Sequence, residues 1–345
     1  MFGHFTRQGF NNTPGANSSA CDINLNFTHG FLPPAFIVVF VVGTLANIWG
    51  LRSVCSGWNS KGNINIFMLN LGLADLLYLF TLPFLVAYYA QNSYWQFGQP
   101  FCKLTRFCFN LNLYGSIGFL TCISIYRYLG IVHPMRVMGR ITSHHSLVIS
   151  ALVWALVILQ ITPDMFFDKN DAKNPNACYD TTADEWIREY LPYSVGWTVI
   201  GFAIPLVVIV LCYSHILWVV AKNSNVNPLL KQRSLRLVVI LILLFAICFI
   251  PYHMLRNVNL KTRILKQKGI CRDSFRNVYI AHQISRFLAC LNSAINPLIY
   301  IVGNEDFLLK LQRLSERARM SLANLTHMVM YRKTSNMDTD SATCS

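Results

Sequence analysis

Seven long apolar stretches constrain this chain more than any other feature. They run roughly Phe31–Leu51, Ile64–Tyr89, Leu104–Val132, Ser146–Phe167, Tyr190–Val220, Leu235–Leu260 and Val278–Val302. A bilayer's hydrocarbon core is about 30 Å thick, so a spanning helix needs roughly 20 apolar residues. Helices of soluble domains usually run about 8–20 residues. Strands of membrane barrels run about 10 residues and alternate in polarity. The stretches are too long and too continuous for either. Charge agrees: only 13% of residues are charged, against about 25% in an ordinary soluble domain. The expected fold is an all-α integral membrane bundle of seven helices. A soluble enzyme, a disordered chain and a nucleic-acid-binding domain are excluded.

The net charge of +14 has a topological explanation. Lys and Arg concentrate in cytoplasmic loops. The first connection holds Arg52 and Lys61, the third Arg136 and Arg140, and the fifth Lys222, Lys231, Arg233 and Arg236. Lys310, Arg313, Arg317 and Arg319 follow the last stretch. Seven spans put all of these on one side, so the N-terminus is expected outside. The first residues are polar and lack the apolar core of a signal peptide, so the first span is expected to direct its own insertion. Sequons at Asn11, Asn17 and Asn26 fit an outer N-terminal tail. Of eleven cysteines, Cys21, Cys102, Cys178 and Cys271 fall in outer segments. The outside is oxidising, and four cysteines allow three pairings. The remaining cysteines are expected to be small buried hydrophobes. His144 and His145 are adjacent on the inner side, with no Cys or carboxylate at ligand spacing.

Two outer loops carry segregated charge. Residues 261–276 hold Lys261, Arg263, Lys266, Lys268, Arg272 and Arg276 against Asp273. The second outer loop holds Asp164, Asp168, Asp171, Asp180, Asp184, Glu185 and Glu189, nearly half of the chain's 15 acids. A cationic rim speeds the encounter with an anionic ligand. Ionic contact between the two loops would explain the segregation equally well.

Charges within spans are rarer and more informative, because each costs a few kcal/mol near the bilayer centre. Arg106, Arg256 and Arg286 lie in the outer parts of spans three, six and seven. A guanidinium offers five donors in a fork that suits phosphate or carboxylate. Facing one cavity, the three would form a polyanion site; Arg106 could instead snorkel to the interface. His253, Arg256 and Asn259 share a helix face, as do Tyr279, Gln283 and Arg286. Asn110 and Tyr114 lie below Arg106, and Asp180 could neutralise Arg286 or Arg256 from above. Asp75 is the one acid at the membrane centre, with Asn47, Ser116, Asn292, Ser293 and Asn296 at similar depth. Their oxygens form a candidate sodium site. No resident cofactor is expected. Prolines at 83, 163, 205, 251 and 297 should kink the spans.

Together these residues resemble the rhodopsin-like family of G-protein-coupled receptors. The marks are Asn47, Leu71-Gly72-Leu73-Ala74-Asp75, Trp154, Pro205, Tyr213 and Asn296-Pro297-Leu298-Ile299-Tyr300. The resemblance implies an N-terminal tail over 1–30, a bundle over 31–303, a short amphipathic eighth helix over 304–319 and a cytoplasmic tail over 320–345. It implies Phe249 as the switch aromatic of span six, and Arg127, Tyr213 and Tyr300 at the G-protein side.

Within that family the chain is similar to the metabotropic purinergic nucleotide receptors. The segments that carry this are Cys102–Phe107, Asn112–Ser116, Cys178–Thr182, His253–Arg256 and Gln283–Arg286. The resemblance implies that Arg106, Arg256 and Arg286 grip phosphates, with Tyr114, Asn259, Tyr279 and Gln283 helping and Asp180 covering the site. It includes the expected disulfides, Cys102–Cys178 and Cys21–Cys271. The chain departs from the family pattern at Tyr126, where Asp is usual, at Phe249, often Trp, at Asn110, often His, and at Cys290. The implied protein is not an enzyme. It is a plasma-membrane receptor for an extracellular nucleotide, ADP or ATP favoured. Its implied partners are a heterotrimeric G protein of the q class, arrestin and membrane lipid. A receptor for small dicarboxylates such as succinate is the nearest alternative, and an anion or nucleotide transporter the alternative from another class.

Overall fold

The computed structural model describes residues 26–56, 63–134, 142–170, 174–222 and 228–298, with 316, 319 and 320. The described residues form ten α-helices, numbered in chain order. Span one is α1 (Asn26–Ser56). Span two is α2 (Ile64–Leu79) and α3 (Leu82–Ala90). Span three is α4 (Gln99–Val132), and span four is α5 (Ser143–Ile161) with a 3-10 turn over Thr162–Phe166. Span five is α6 (Ile187–Thr198), a π turn over Val199–Ala203 and α7 (Ile204–Lys222). Span six is α8 (Pro228–Leu244), a π turn over Phe245–Phe249 and α9 (Ile250–Gln267). Span seven is α10 (Ser274–Ile295).

The first six spans are long and apolar enough to cross a membrane. Backbone polar groups have no water partner in lipid, so a helix that satisfies them internally is what such sequences can form there. Span seven is less apolar because it carries His282, Gln283, Arg286 and Asn292, all buried inside the bundle. It packs between spans one and six. The lipid side is apolar, with Leu45, Leu156, Val207, Leu211 and Ile242 exposed.

Four of the five prolines lie at or next to breaks in regular helix. Pro83 opens α3 after a break at Phe80 and Thr81, where the Thr81 hydroxyl and N–H both donate to the Tyr78 carbonyl, at 2.7 and 2.8 Å. Pro163 lies in the 3-10 turn. Pro205 and Pro251 are the second residues of the helices that follow the two π turns. The π turns face each other: Phe202 stacks on Phe245 at 6.2 Å and on His253 at 4.4 Å.

Several boundaries differ from the expected ones. Span one begins five residues early, inside the segment assigned to the outer tail. Span six extends to Gln267, so the first half of the basic outer loop is helix. His145 serves as a cap: its ring Nδ1 lies 2.8 Å from the Thr142 hydroxyl and 3.3 Å from the Thr142 N–H, closing the N-terminus of span four. The cysteines outside the outer segments are not uniformly buried. Cys248 and Cys290 are, Cys108, Cys122 and Cys212 are half-buried, and Cys55 is exposed. Asn11, Asn17, Cys21, Tyr300 and nearly all of the segment 304–319 lie outside the described residues.

Candidate functional site

Cys102 and Cys178 are joined, as expected. The disulfide ties the start of span three to the second outer loop and marks the outer end of the bundle. Gly98 starts span three at φ 77°, a conformation natural to glycine. Its carbonyl accepts the Trp95 indole N–H at 2.7 Å. Cys271 is also disulfide-bonded.

The segment from Cys178 to Asp184 crosses the outer end as a strap held by cations. Arg106 Nη2 donates to the Cys178 carbonyl at 2.5 Å. Asp180 Oδ2 lies 3.4 Å from Arg286 Nη1 and 3.8 Å from His282 Nε2. Lys169 Nζ donates to the Thr181 carbonyl. Arg263 donates to the Thr181 hydroxyl, the Thr182 carbonyl and Asp184 Oδ1. Arg263 and Asp184 thus make the ionic contact between the two charged outer segments. Burial, the largest single influence, opposes the charge on Asp180, but Arg286, His282, Arg106 and Arg263 together outweigh it and hold the carboxyl below the usual carboxylate range.

Beside this strap lies a cavity of about 430 Å³, within the roughly 300–1,000 Å³ of small-molecule sites. Asp180, Asn259, Tyr279, Gln283 and Arg286 line it, five of the ten expected ligand residues. Arg286 Nε and Nη2 and Gln283 Oε1 are buried without a hydrogen-bond partner. The Arg286 guanidinium lies 5.1 Å over the Tyr89 ring. The hydroxyl of Tyr279, on the cavity lining, lies 3.1 Å from the Thr28 hydroxyl.

The other five expected residues sit behind the wall. Arg106 is buried under the strap and does not snorkel. Arg256 Nη2 donates to Tyr190 Oη at 2.7 Å, and Nη1 lies 3.5 Å from Tyr114 Oη. Asn110 donates to Asp164 at 3.3 Å. His253 stacks on Phe202 with both ring nitrogens unpartnered. The three arginines therefore do not share one cavity wall. Asp180 pairs with Arg286, and Arg256 takes Tyr190 instead.

The lining also includes Tyr88, Tyr89, Arg263, Lys266 and Gln267, which sequence reasoning did not place there. A signal existed for the last three. From Arg256 through Asn259 and Arg263 to Lys266 and Gln267, one stripe continues at three- and four-residue steps, the mark of a helix face.

At the bundle centre Asn112 Nδ2 donates to Asp75 Oδ1 at 2.7 Å. Asn296 Nδ2 donates to both Asp75 oxygens at 3.0 and 3.1 Å. Asn296 also reaches Ser116 at 3.3 Å, and Ser293 donates to Asn112 Oδ1 at 3.0 Å. Asn112 is the member that sequence reasoning missed. Among the described residues no His, Cys, Asp and Glu cluster could hold a transition metal. Phe249 is fully buried in the π turn of span six, 5.0 Å from Phe245. Tyr213 is buried toward the inner end of span five.

The family described as 7 transmembrane receptor (rhodopsin family) matches residues 46–300. Human (Homo sapiens) Y-type purinoceptor 1 is 40% identical over 306 residues, covering 87% of this chain and 81% of the relative. The Y-type purinoceptor 1 of Gallus gallus is 38% identical over 311 residues, covering 88% and 85%. Y-type purinoceptor 4 of Xenopus laevis is 36% identical over 313 residues, covering 88% and 57%. A receptor bundle with a cation-rich outer cavity agrees with these relationships. The chain belongs to the rhodopsin family of seven-transmembrane receptors, in its Y-type purinoceptor branch, and is not an enzyme.

Proposed function

We propose that this protein is a plasma-membrane receptor for extracellular nucleotides, adenine nucleotides favoured, with its N-terminus outside. One observation carries the reading. Arg286 lines a cavity of nucleotide size together with tyrosines and the cations Arg263 and Lys266, and two of its buried nitrogens have no hydrogen-bond partner. A guanidinium fork suits phosphate, and tyrosine rings suit a flat heterocycle. The relatives are named purinoceptors, which points the same way. Binding would favour the packing in which these groups converge on the anion. A ligand shifts an equilibrium only by its differential affinity for the two states.

The kinked spans and their facing π turns supply an element with two packings. Phe249 and Asp75 lie along the route from the cavity to the inner end, where Arg127, Tyr213 and Tyr300 would meet a heterotrimeric G protein of the q class, and later arrestin. The buried oxygens Asn292 Oδ1 and Asn296 Oδ1 have no partner. With Asp75 and Ser116 they suit a sodium ion, a hard cation that takes oxygen ligands. Such an ion would neutralise the buried carboxylate and favour the inactive packing. The outer N-terminal tail would carry sugar at Asn11 or Asn17, or at Asn26 where span one begins, and Cys21 would pair with Cys271.

The test is expression in cells without purinoceptors. ADP, ATP, UDP, UTP, succinate and 2-oxoglutarate are applied, and calcium and cyclic AMP are read. A calcium response to an adenine nucleotide is expected. A response to a dicarboxylate with none to any nucleotide overturns the ligand assignment.

A further inference from the structure

Arg256 belongs to a buried network behind the cavity lining. Its Nη2 donates to Tyr190 Oη at 2.7 Å, and its guanidinium lies 5.7 Å over the same ring. Tyr190 Oη donates in turn to Asp164 Oδ1 at 2.7 Å. Asp164 Oδ2 accepts Lys169 Nζ at 3.0 Å and Asn110 Nδ2 at 3.3 Å. Lys169 also holds the Thr181 carbonyl, next to Asp180. Asn110, Asp164, Lys169, Tyr190 and Arg256 are all buried. Asp164 thus joins spans three, four, five and six to the strap.

The charges in this network do not balance. One carboxylate serves two cations, Lys169 directly and Arg256 through a phenol. Arg256 Nε keeps no hydrogen-bond partner. A part-satisfied charge in a low-dielectric interior is costly and favours arrival of an anion. The bond directions are fixed as well. The Tyr190 hydroxyl has one proton, and Asp164 as a carboxylate only accepts. That proton therefore goes to Asp164, and the phenol oxygen is left facing Arg256. Arg256 sits one helical turn from Asn259, which lines the cavity.

We propose that Asp164 is a positioning residue for agonist recognition: acting through the Tyr190 hydroxyl, it fixes the Arg256 guanidinium beside the outer cavity. The proposal rests on the reading that the agonist is an anion. Sequence reading placed Asp164 among loop acids and gave Tyr190 no role.

A double-mutant cycle tests the relay. Asp164→Asn alone would leave the Lys169 ammonium buried without its carboxylate, so it is paired with Lys169→Met. Tyr190→Phe removes only the hydroxyl. Each change is made in the wild type and in Arg256→Gln, and surface expression is followed with an epitope tag. Potency is read with whichever anion of the nucleotide and dicarboxylate panel activates the wild type. Each change is expected to cost about tenfold in potency at normal surface expression, and little further in Arg256→Gln. The same tenfold loss in both backgrounds overturns the proposal. A second measurement needs no agonist, the melting temperature of the detergent-purified receptor. Tyr190→Phe is expected to lower it more in the wild type than in Arg256→Gln, and equal losses overturn the relay. Activation by a dicarboxylate alone removes the nucleotide reading while the cycle still decides the role of Asp164.

Discussion

Asp180 and Arg286 meet across the outer cavity, with Oδ2 3.4 Å from Nη1, although one comes from a loop and the other from the interior of span seven. The carboxylate occupies one edge of the guanidinium and leaves Nε and Nη2 without partners. Arg286→Ala should reduce nucleotide potency by about 100-fold or more, since two charge-assisted contacts to phosphate would be lost. Arg286→Lys should retain part of it, because an ammonium keeps the charge and loses the fork. Asp180→Asn should alter potency in the wild type and not in Arg286→Ala, because the two residues share one interaction. Concentration–response curves at matched surface expression decide this. Unchanged potency in Arg286→Ala would remove that residue from the site.

The same pair predicts an acid response. The folded carboxyl of Asp180 titrates below its ordinary value of 3.8 because Arg286 and its neighbours outweigh burial. A depressed acid contributes stability above its unfolded value and loses it only as pH falls through the folded one. The contribution is therefore constant from pH 8 to about 5 and fades below about 4. Melting temperatures of the purified receptor and Asp180→Asn should differ by the same amount at pH 7.5 and 5.0. A difference that closes by pH 5 contradicts the ion pair.

The disulfide holds the strap that carries Asp180. Cys102→Ser with Cys178→Ser should destabilise the receptor by roughly 2–5 kcal/mol. Asp180 lies two residues beyond Cys178, so ligand response should fall further than surface expression does. Radioligand capacity compared with tag fluorescence separates the two losses. Equal losses would make the bond structural only.

Gly201 lies in the π turn of span five, and a Cβ there would meet the Gln160 amide and, at 2.8 Å, the Tyr114 ring. Gly201→Val should cost about 1–3 kcal/mol through overpacking. Reduced surface expression and a lower melting temperature are the expected readings. Wild-type values for both would show that Gln160 and the Tyr114 ring can both give way.

Asp75 is held by amide donors from Asn112 and Asn296. Asp75→Asn should abolish the sodium dependence of agonist potency proposed for this cluster, since an amide binds a hard cation far less well than a carboxylate. Potency in sodium is compared with potency in N-methylglucamine. A sodium effect that survives the substitution would place the ion elsewhere.

The bundle was legible in the sequence because each span satisfies its own backbone and advertises itself by length and polarity. Asp75, Arg106, Arg256 and Arg286 stood out for the same reason, since charge inside an apolar stretch is costly. Helix ends were less legible. Lys261–Gln267 is too polar to read as a span, yet it continues span six and brings Arg263 and Lys266 to the cavity.

Most pairings across the bundle could not be read, and for Asp180 the choice between Arg286 and Arg256 stayed open. The sequence by itself determined which helices form, which residues are charged within them, and which cysteines lie on the oxidising side. Only the tertiary structure decided that Asp180 takes Arg286 and that Asp164 reaches Arg256 through Tyr190. The physical reason is that local sequence sets backbone hydrogen bonding and lipid exposure residue by residue. The partner of a buried charge depends on how helices distant in sequence rotate against one another as they pack.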